Sequence, residues 1–291
     1  MLRNFSVLTP ESLKETLYVI NNLNVSFKFL SGGTDVLVRL KDNPGYADVL
    51  VDISRLSELS KIEEHKNTYV IGSGVKHEAM LSYAPFVEKY AGLIDAVSAI
   101  GSPQIRALAS IGGNIANASP AGDSIPALMS YNAEIELRSH DSNRIVKLED
   151  LFTGPGKTVL NKNEIITQVI LPKSEGYKSG WKRLGQRRGM AISKVSAAVN
   201  LSFIKHPNGS RKLTDIKIAL GAVAPKVIRA YETERFMLEE QNVTASMLKR
   251  ACAIIEKEAS PITDVRSNAL YRSKMCGVLL CDIVNRLVFN A

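Results

Sequence analysis

Two glycine pairs, each opening a run of small polar residues, constrain this chain more than any other feature. The first is Ser31-Gly32-Gly33-Thr34-Asp35, led into by the apolar residues 27–30. The second is Ser110-Ile111-Gly112-Gly113-Asn114, continuing as Ile115-Ala116-Asn117-Ala118-Ser119-Pro120-Ala121-Gly122-Asp123. Such runs make poor core elements. Glycine permits positive φ and lets a backbone approach a ligand closely, so each pair is a candidate for main-chain N–H groups aimed at an anion. A single Gly pair is ordinarily a tight turn. Two pairs, each after an apolar run and each followed by Asn or Asp, point to two nests gripping a diphosphate from both sides. The Gly-x-Gly-x-x-Gly fingerprint of a Rossmann fold is absent.

At 291 residues the chain has room for two or three domains of ordinary size. The apolar fraction of 45% is ordinary for a globular protein, and no stretch approaches the roughly 20 uncharged apolar residues of a membrane span. Residues 1–10 carry neither an apolar signal core nor a small-residue cleavage site, so a cytoplasmic protein is expected. Cys252, Cys276 and Cys281 match neither a zinc ribbon nor an iron–sulfur run and are expected as buried thiols of helices. The net charge of +8 is scattered and aromatic residues are few, which argues against nucleic acid. The one dense basic patch is Lys182-Arg183 with Arg187-Arg188, suited to a solvated hairpin, an anionic cofactor or an acidic partner.

Hydrophobic periodicity gives a helix from Pro10 carrying Leu13, Leu17 and Ile20, then strands over 26–30 and 48–53 in a small βαβ unit. A strand over 68–72 precedes helical patterns from His77 to Ile100, with breaks at Pro85 and Gly92. Gly72 and Gly74 carry little weight, since a strand-to-helix turn explains them. Asp123 is placed to cap a helix over 125–130. A hairpin over 134–138 and 144–148 and a strand over 164–171 follow. Residues 152–158 lack Walker A spacing and are expected as a plain loop. A polar stretch over 172–180 reads as a domain boundary, followed by a meander over 180–184, 194–204 and 213–222 and helices over 227–238, after Thr244, and over 269–289. His65, His77, His140 and His206 sit in polar or turn-like contexts and are expected at the surface. With no nucleophile–base pair and no paired carboxylates, bound-cofactor chemistry is favoured over side-chain catalysis.

Taken in order, the two glycine motifs, Gly101-Ser102-Pro103-Gln104-Ile105-Arg106 and Gly122-Asp123 resemble the FAD-binding subunit of molybdenum hydroxylases, the family of xanthine dehydrogenases, nicotinate dehydrogenase and the carbon monoxide dehydrogenase flavoprotein. Residues 152–158, Gly221-Ala222-Val223-Ala224-Pro225 with Ile228-Arg229, and Asp264-Val265-Arg266 with Tyr271-Arg272 extend the resemblance over essentially the whole chain. It implies an α+β fold of the vanillyl-alcohol-oxidase type. An FAD-binding domain over 1–175, with subdomains of about 1–58 and 59–175, would precede a C-terminal domain over 176–291 with a three-stranded antiparallel sheet and helices.

Carried over by position, the resemblance places the cofactor against Phe29, Leu30, Ser31, Gly32, Gly33, Thr34, Asp35 and Val36, and against Ser110, Ile111, Gly112, Gly113 and Asn114, with amides of both loops on the FAD diphosphate. Gly101 allows close approach, and Asp123 lies near the ribityl and ribose hydroxyls. Ile166 lies on the adenine side, Lys182 reaches the cofactor, and Ile192 packs on the isoalloxazine. Ser31 and Ser110 replace the family's frequent Ala and Thr, and the cluster-bearing insertion of the 4-hydroxybenzoyl-coenzyme A reductase branch is missing. FAD alone, with no metal and no catalytic residue, is therefore expected here. Partners implied are a [2Fe–2S] small subunit and a molybdopterin large subunit, with electrons passing to an acceptor such as NAD and a substrate such as the purine xanthine. A stand-alone flavin oxidoreductase of the same fold is the alternative.

Overall fold

The structure, a computed structural model, describes residues 5–187 and 189–289. Arg188, half of the expected Arg187-Arg188 pair, lies outside the described residues.

The first unit is a three-stranded parallel sheet of β1 (Ser6–Leu8), β2 (Phe27–Leu30) and β3 (Val49–Asp52), in the order β1-β3-β2. Helix Leu13–Asn22 begins at Ser12, whose hydroxyl accepts from the Glu15 N–H, and turns Leu13, Leu17 and Ile20 inward. Helix Val36–Asp42 joins β2 to β3, confirming the βαβ unit. The three-residue β1 is too short to leave a periodic signal. The core of this unit contains Ile20, Val51, Ile53, Leu56 and Leu59, and it is completed by Ile165 from far along the chain.

The second unit is built on an antiparallel sheet. Its strands are β4 (Ile62–Glu64), β5 (Thr68–Gly72), β6 (Glu134–Arg138), β7 (Asn143–Lys147) and, after a small hairpin of β8 (Phe152–Gly154) and β9 (Lys157–Thr158), β10 (Ile165–Pro172). The order is β4-β5-β10-β6-β7. The hairpin replaces the expected plain loop, because Gly156 at φ +67° makes the tight reversal between β8 and β9. Helices His77–Leu81, Ala84–Lys89 and Ala91–Ser98 are separated near Tyr83 and Tyr90 instead of at Pro85 and Gly92, since Pro85 is tolerated in a helix's first turn. Tyr69 packs edge-on against Phe86 and Tyr90, with ring centroids 5.3 and 5.8 Å away.

The C-terminal unit has β11 (Lys178–Leu184), β12 (Val195–Lys205), β13 (Arg211–Gly221) and β14 (Ile228–Arg229). The expected three-stranded meander is thus four-stranded: Ala219 and Leu220 pair with Arg229 and Ile228, and the following helix starts only at Tyr231. The sheet is covered on both faces. Along β12, Val195, Ala197, Val199 and Leu201 point to helices Ala245–Glu258 and Ala269–Phe289, while Ala198 faces the second unit's core. Trp181 joins it there, and a Cβ on Gly92 would stand 3.1 Å from the Gly180 backbone, so helix Ala91–Ser98 lies directly on β11. Thr244 caps helix Ala245–Glu258 as expected. All three cysteines lie on these two helices, but only Cys276 is a free buried thiol. Cys252 and Cys281 face each other and are joined as a disulfide, a pairing across two helices that spacing alone did not reveal.

Candidate functional site

The first glycine loop leaves β2 at Leu30 and turns back through Gly33, at φ +74°, into helix Val36–Asp42. A Cβ on Gly32 would stand 2.0 Å from the Leu108 carbonyl oxygen, so the loop is pressed against the backbone that leads into the second glycine motif. Among the described residues, no backbone carbonyl accepts from the N–H groups of Ser31, Gly32, Gly33 or Thr34. These donors line a cleft of about 780 Å3.

The second motif is built differently. Ser110 is the N-cap of helix Ile111–Ala116, its hydroxyl accepting from the Gly113 N–H at 3.2 Å. The Ile111 N–H donates to the Val75 carbonyl at 3.0 Å, Gly112 to Ser73 at 2.8 Å and Asn114 to Ser110 at 3.0 Å. The expectation of two matched nests is therefore corrected. A serine three residues before Gly113 starts a helix, whose amides are already satisfied by the protein, and this motif works as a buttress while the first supplies the open amides. A Cβ on Gly112 would stand 2.4 Å from that of Ser73, whereas one on Gly113 would meet only the Ser110 hydroxyl, at 3.1 Å. The motifs touch through Ser31 and Ser110, whose hydroxyl oxygens are 2.9 Å apart.

Of the predicted residues, Phe29, Ser31, Gly32, Gly33, Thr34, Asp35, Val36, Ser110, Gly112, Gly113, Asn114 and Ile166 line the cleft. Leu30 instead packs toward Leu40, Ala47 and Leu50, and Ile111 is buried in the main core. Gly101, at φ +51°, folds the chain so that its neighbours Ile100 and Ile105 reach the cleft. Lys182 faces away and pairs with Asp282 on helix Ala269–Phe289. Strand alternation sends the next residue, Arg183, to the opposite face, where it pairs with Asp123. Asp123 begins helix Ser124–Ser130 but makes no side-chain cap hydrogen bond. Its carboxylate is turned to Arg183 and to the Ser193 hydroxyl, at 2.6 Å, and burial pushes its pKa up to about 6 against the opposing pull of those two partners. Ile192 sits 55% exposed in the loop beside Ser193.

Several cleft residues were not assigned to the site from the sequence. Ser73, between the two discounted glycines, lines the cleft, as do Gly156 and Thr158 of the β8–β9 hairpin. His77, expected at the surface, is fully buried, and neither ring nitrogen has a partner among the described residues. Burial, with the charges of Arg106 and Lys76 adding to it, holds its pKa down at about 4, so the ring is neutral. At one side of the cleft Phe27, Ile53, Leu160, Ile165 and Ile166 form an apolar wall, and at the rim stand Lys28, Arg39, Tyr46 and Lys162. No group of His, Cys, Asp and Glu among the described residues is arranged to hold a metal ion.

An open row of amides, glycines with no room for side chains, an apolar wall and basic rim residues fit a long ligand with a central diphosphate, and the volume lies within the roughly 300–1,000 Å3 of small-molecule sites. Comparison with known proteins names the ligand. Residues 3–174 match the family described as the FAD binding domain in molybdopterin dehydrogenase, and residues 182–287 match the CO dehydrogenase flavoprotein C-terminal domain. The glyceraldehyde dehydrogenase medium chain of Sulfolobus acidocaldarius is 32% identical over 276 residues, spanning 94% of this chain and 95% of the relative. The xanthine dehydrogenase FAD-binding subunit of Escherichia coli O157:H7 is 27% identical over 271 residues, spanning 92% and 91%. A chain in the structure of reconstituted CO dehydrogenase from Oligotropha carboxidovorans superposes with a TM-score of 0.91 over 100% of both chains, at 26% identity. With family matches across both halves of the sequence and a full-length fold in common, the chain belongs to the FAD-binding medium subunits of the molybdenum hydroxylases.

Proposed function

We propose that this chain is the electron-transfer subunit of a molybdenum hydroxylase, taking electrons from a [2Fe–2S] partner subunit and passing them to NAD or another acceptor, while the substrate is hydroxylated at a molybdopterin in a third subunit. The observation that carries this reading is the row of unengaged N–H groups at residues 31–34, held open toward the cleft by the contact of Gly32 with Leu108. FAD bound here supplies the exchange between single-electron and paired-electron transfer. The chain's residues bind and orient it: the amides of residues 31–34 take the diphosphate, and Ile166 and Leu160 take the adenine side. The second glycine motif braces the first. Asp123, held by Arg183 and Ser193, and Ile192 lie outside the cleft lining, and their roles beside the ribityl chain and a ring face rest on the family resemblance alone.

Relatives named for glyceraldehyde, xanthine, nicotinate and carbon monoxide share the sequence at 27–32% identity, so substrate choice belongs to another subunit. A purine such as xanthine is our proposal for that substrate, resting on the resemblance of residues 154–158 and 222–225 to purine dehydrogenase subunits. No helix among the described residues is long and apolar enough to cross a membrane.

Purification of the chain with its natural partners tests the proposal. The expected result is a flavin absorbance spectrum and copurification of one iron–sulfur and one molybdopterin subunit. A well-folded preparation without flavin, or a lone chain that turns over substrate by itself, overturns it.

A further inference from the structure

Two cations share one aromatic ring at the rim of the cleft. The Lys28 Nζ lies 5.1 Å and the Arg39 Cζ 5.7 Å from the centroid of the Tyr46 ring. All three residues line the cleft. Arg106, Arg144, Arg183 and Arg229 each hold a carboxylate, but among the described residues neither Lys28 nor Arg39 does. Arg39 is held by neutral groups: Nη2 donates to the Asn117 Oδ1 at 2.5 Å and Nη1 to the Tyr46 hydroxyl at 3.5 Å. The nearby acids are turned elsewhere. Asp35 accepts from the Asn117 Nδ2 at 3.0 Å, and Asp48 from the Ser26 hydroxyl at 2.6 Å.

Like charges gathered on one platform repel unless an anion joins them, and a guanidinium fork is shaped for phosphate oxygens. Arg39 stands one helical turn beyond the open amides of residues 31–34, and Asn117, which holds it, belongs to the opposite wall. We propose that Arg39, supported by Lys28 and Tyr46, is a phosphate clamp that neutralises the cofactor's diphosphate and ties the two glycine motifs together around it. This rests on the reading of the cleft as the FAD site. The backbone amides then supply geometry, and Arg39 supplies charge.

The test uses the full chain freed of flavin and retitrated with FAD, riboflavin and ADP, followed by flavin fluorescence, for wild type, Arg39→Gln and Arg39→Lys. Arg39 is solvent-facing, and an unchanged thermal midpoint checks folding. The expected result for Arg39→Gln is FAD binding weakened by about tenfold at low salt, as for loss of one charge-assisted bond. The penalty shrinks as salt rises from about 0.05 to 0.5 M. Riboflavin, which has no phosphate, should bind as in wild type, and ADP should compete less well. Arg39→Lys should retain most of the salt dependence.

Equal loss of FAD and riboflavin would show a brace with no charge role, and wild-type FAD affinity with wild-type salt dependence in Arg39→Gln would show no role. Either overturns the inference while leaving the cleft as the FAD site. Wild-type chain that takes up no FAD refutes the reading beneath it, and the inference falls with it.

Discussion

The two glycines of the second motif should fail in different ways when given a side chain. At Gly112 a Cβ would stand 2.4 Å from the Ser73 Cβ and 2.8 Å from the Ser73 carbonyl oxygen, which accepts the Gly112 N–H at 2.8 Å. Backbone has to move apart. Overpacking of this kind costs about 1–3 kcal/mol, and weakening the hydrogen bond adds about 1 kcal/mol. Gly112→Ala should therefore lose about 2–4 kcal/mol of a total stability on the order of 5–15 kcal/mol. At Gly113 the added atom meets only the Ser110 hydroxyl at 3.1 Å and otherwise points into the cleft. The helix gains about 0.5–1 kcal/mol from replacing glycine, and disturbance of the cap takes back a similar amount.

Gly113→Ala should thus keep flavin-free stability within about 1 kcal/mol, and Gly113→Val, with its bulk in the cleft, should weaken FAD by at least about tenfold. Urea unfolding of the flavin-free chain and FAD titration of the same samples separate the two effects. A Gly112→Ala variant as stable as wild type, or a Gly113→Val variant with intact FAD affinity, would refute the assignment of one glycine to the fold and the other to the ligand.

Three further outcomes are expected. His77 has a folded pKa of about 4 against 6.5, so the unfolded chain binds the extra proton; its share of stability is complete above pH 6.5 and is lost as pH falls toward 4, by about 3 kcal/mol. His77→Leu should flatten that part of the stability–pH curve measured by urea midpoints, and an unchanged slope would count against burial as the cause. Asp123→Asn leaves the Arg183 guanidinium without its carboxylate at a buried position, and about 3 kcal/mol should be lost in thermal or urea unfolding; a neutral result would mean the pair is dispensable. Ala222 holds φ +62° while its N–H donates to the Pro120 carbonyl at 2.7 Å, so Ala222→Gly should relieve strain and raise stability by up to about 1 kcal/mol in urea, and a loss would show the alanine methyl is packed, not strained.

The glycine loops were legible because backbone geometry leaves a mark in the letters: only glycine tolerates the contact at Gly32 and the turn at Gly33. The strands and helices that present them were legible for the same local reason, through periodicity. What escaped depends on partners distant in sequence. His77 looked exposed because Lys76 and Glu78 flank it, yet the short helix His77–Leu81 is packed against helix Ala91–Ser98 and residues 103–108. Asp123 reads as a helix cap until β11 brings Arg183 beside it, and Lys182 and Arg183 exchange roles because the strand's pleat, invisible in an isolated basic pair, turns only one of them inward. The second glycine pair resembled the first, but what separates them is that Val75 and Ser73 lie within reach of its amides.

Strand β10 has a consequence for how the molecule is made. It begins with Ile165 in the small core of the first unit and continues with Ile166, Val169 and Leu171 in the main core. During synthesis the first unit leaves the ribosome early, but it waits for Ile165 while more than a hundred residues are added, roughly ten seconds at ordinary elongation rates. The second glycine motif emerges in that interval, after the first, with one wall of their shared cleft still unmade. A nascent chain ending before residue 165 should carry the whole diphosphate loop and yet capture no flavin, so cofactor loading is timed by the return of one strand.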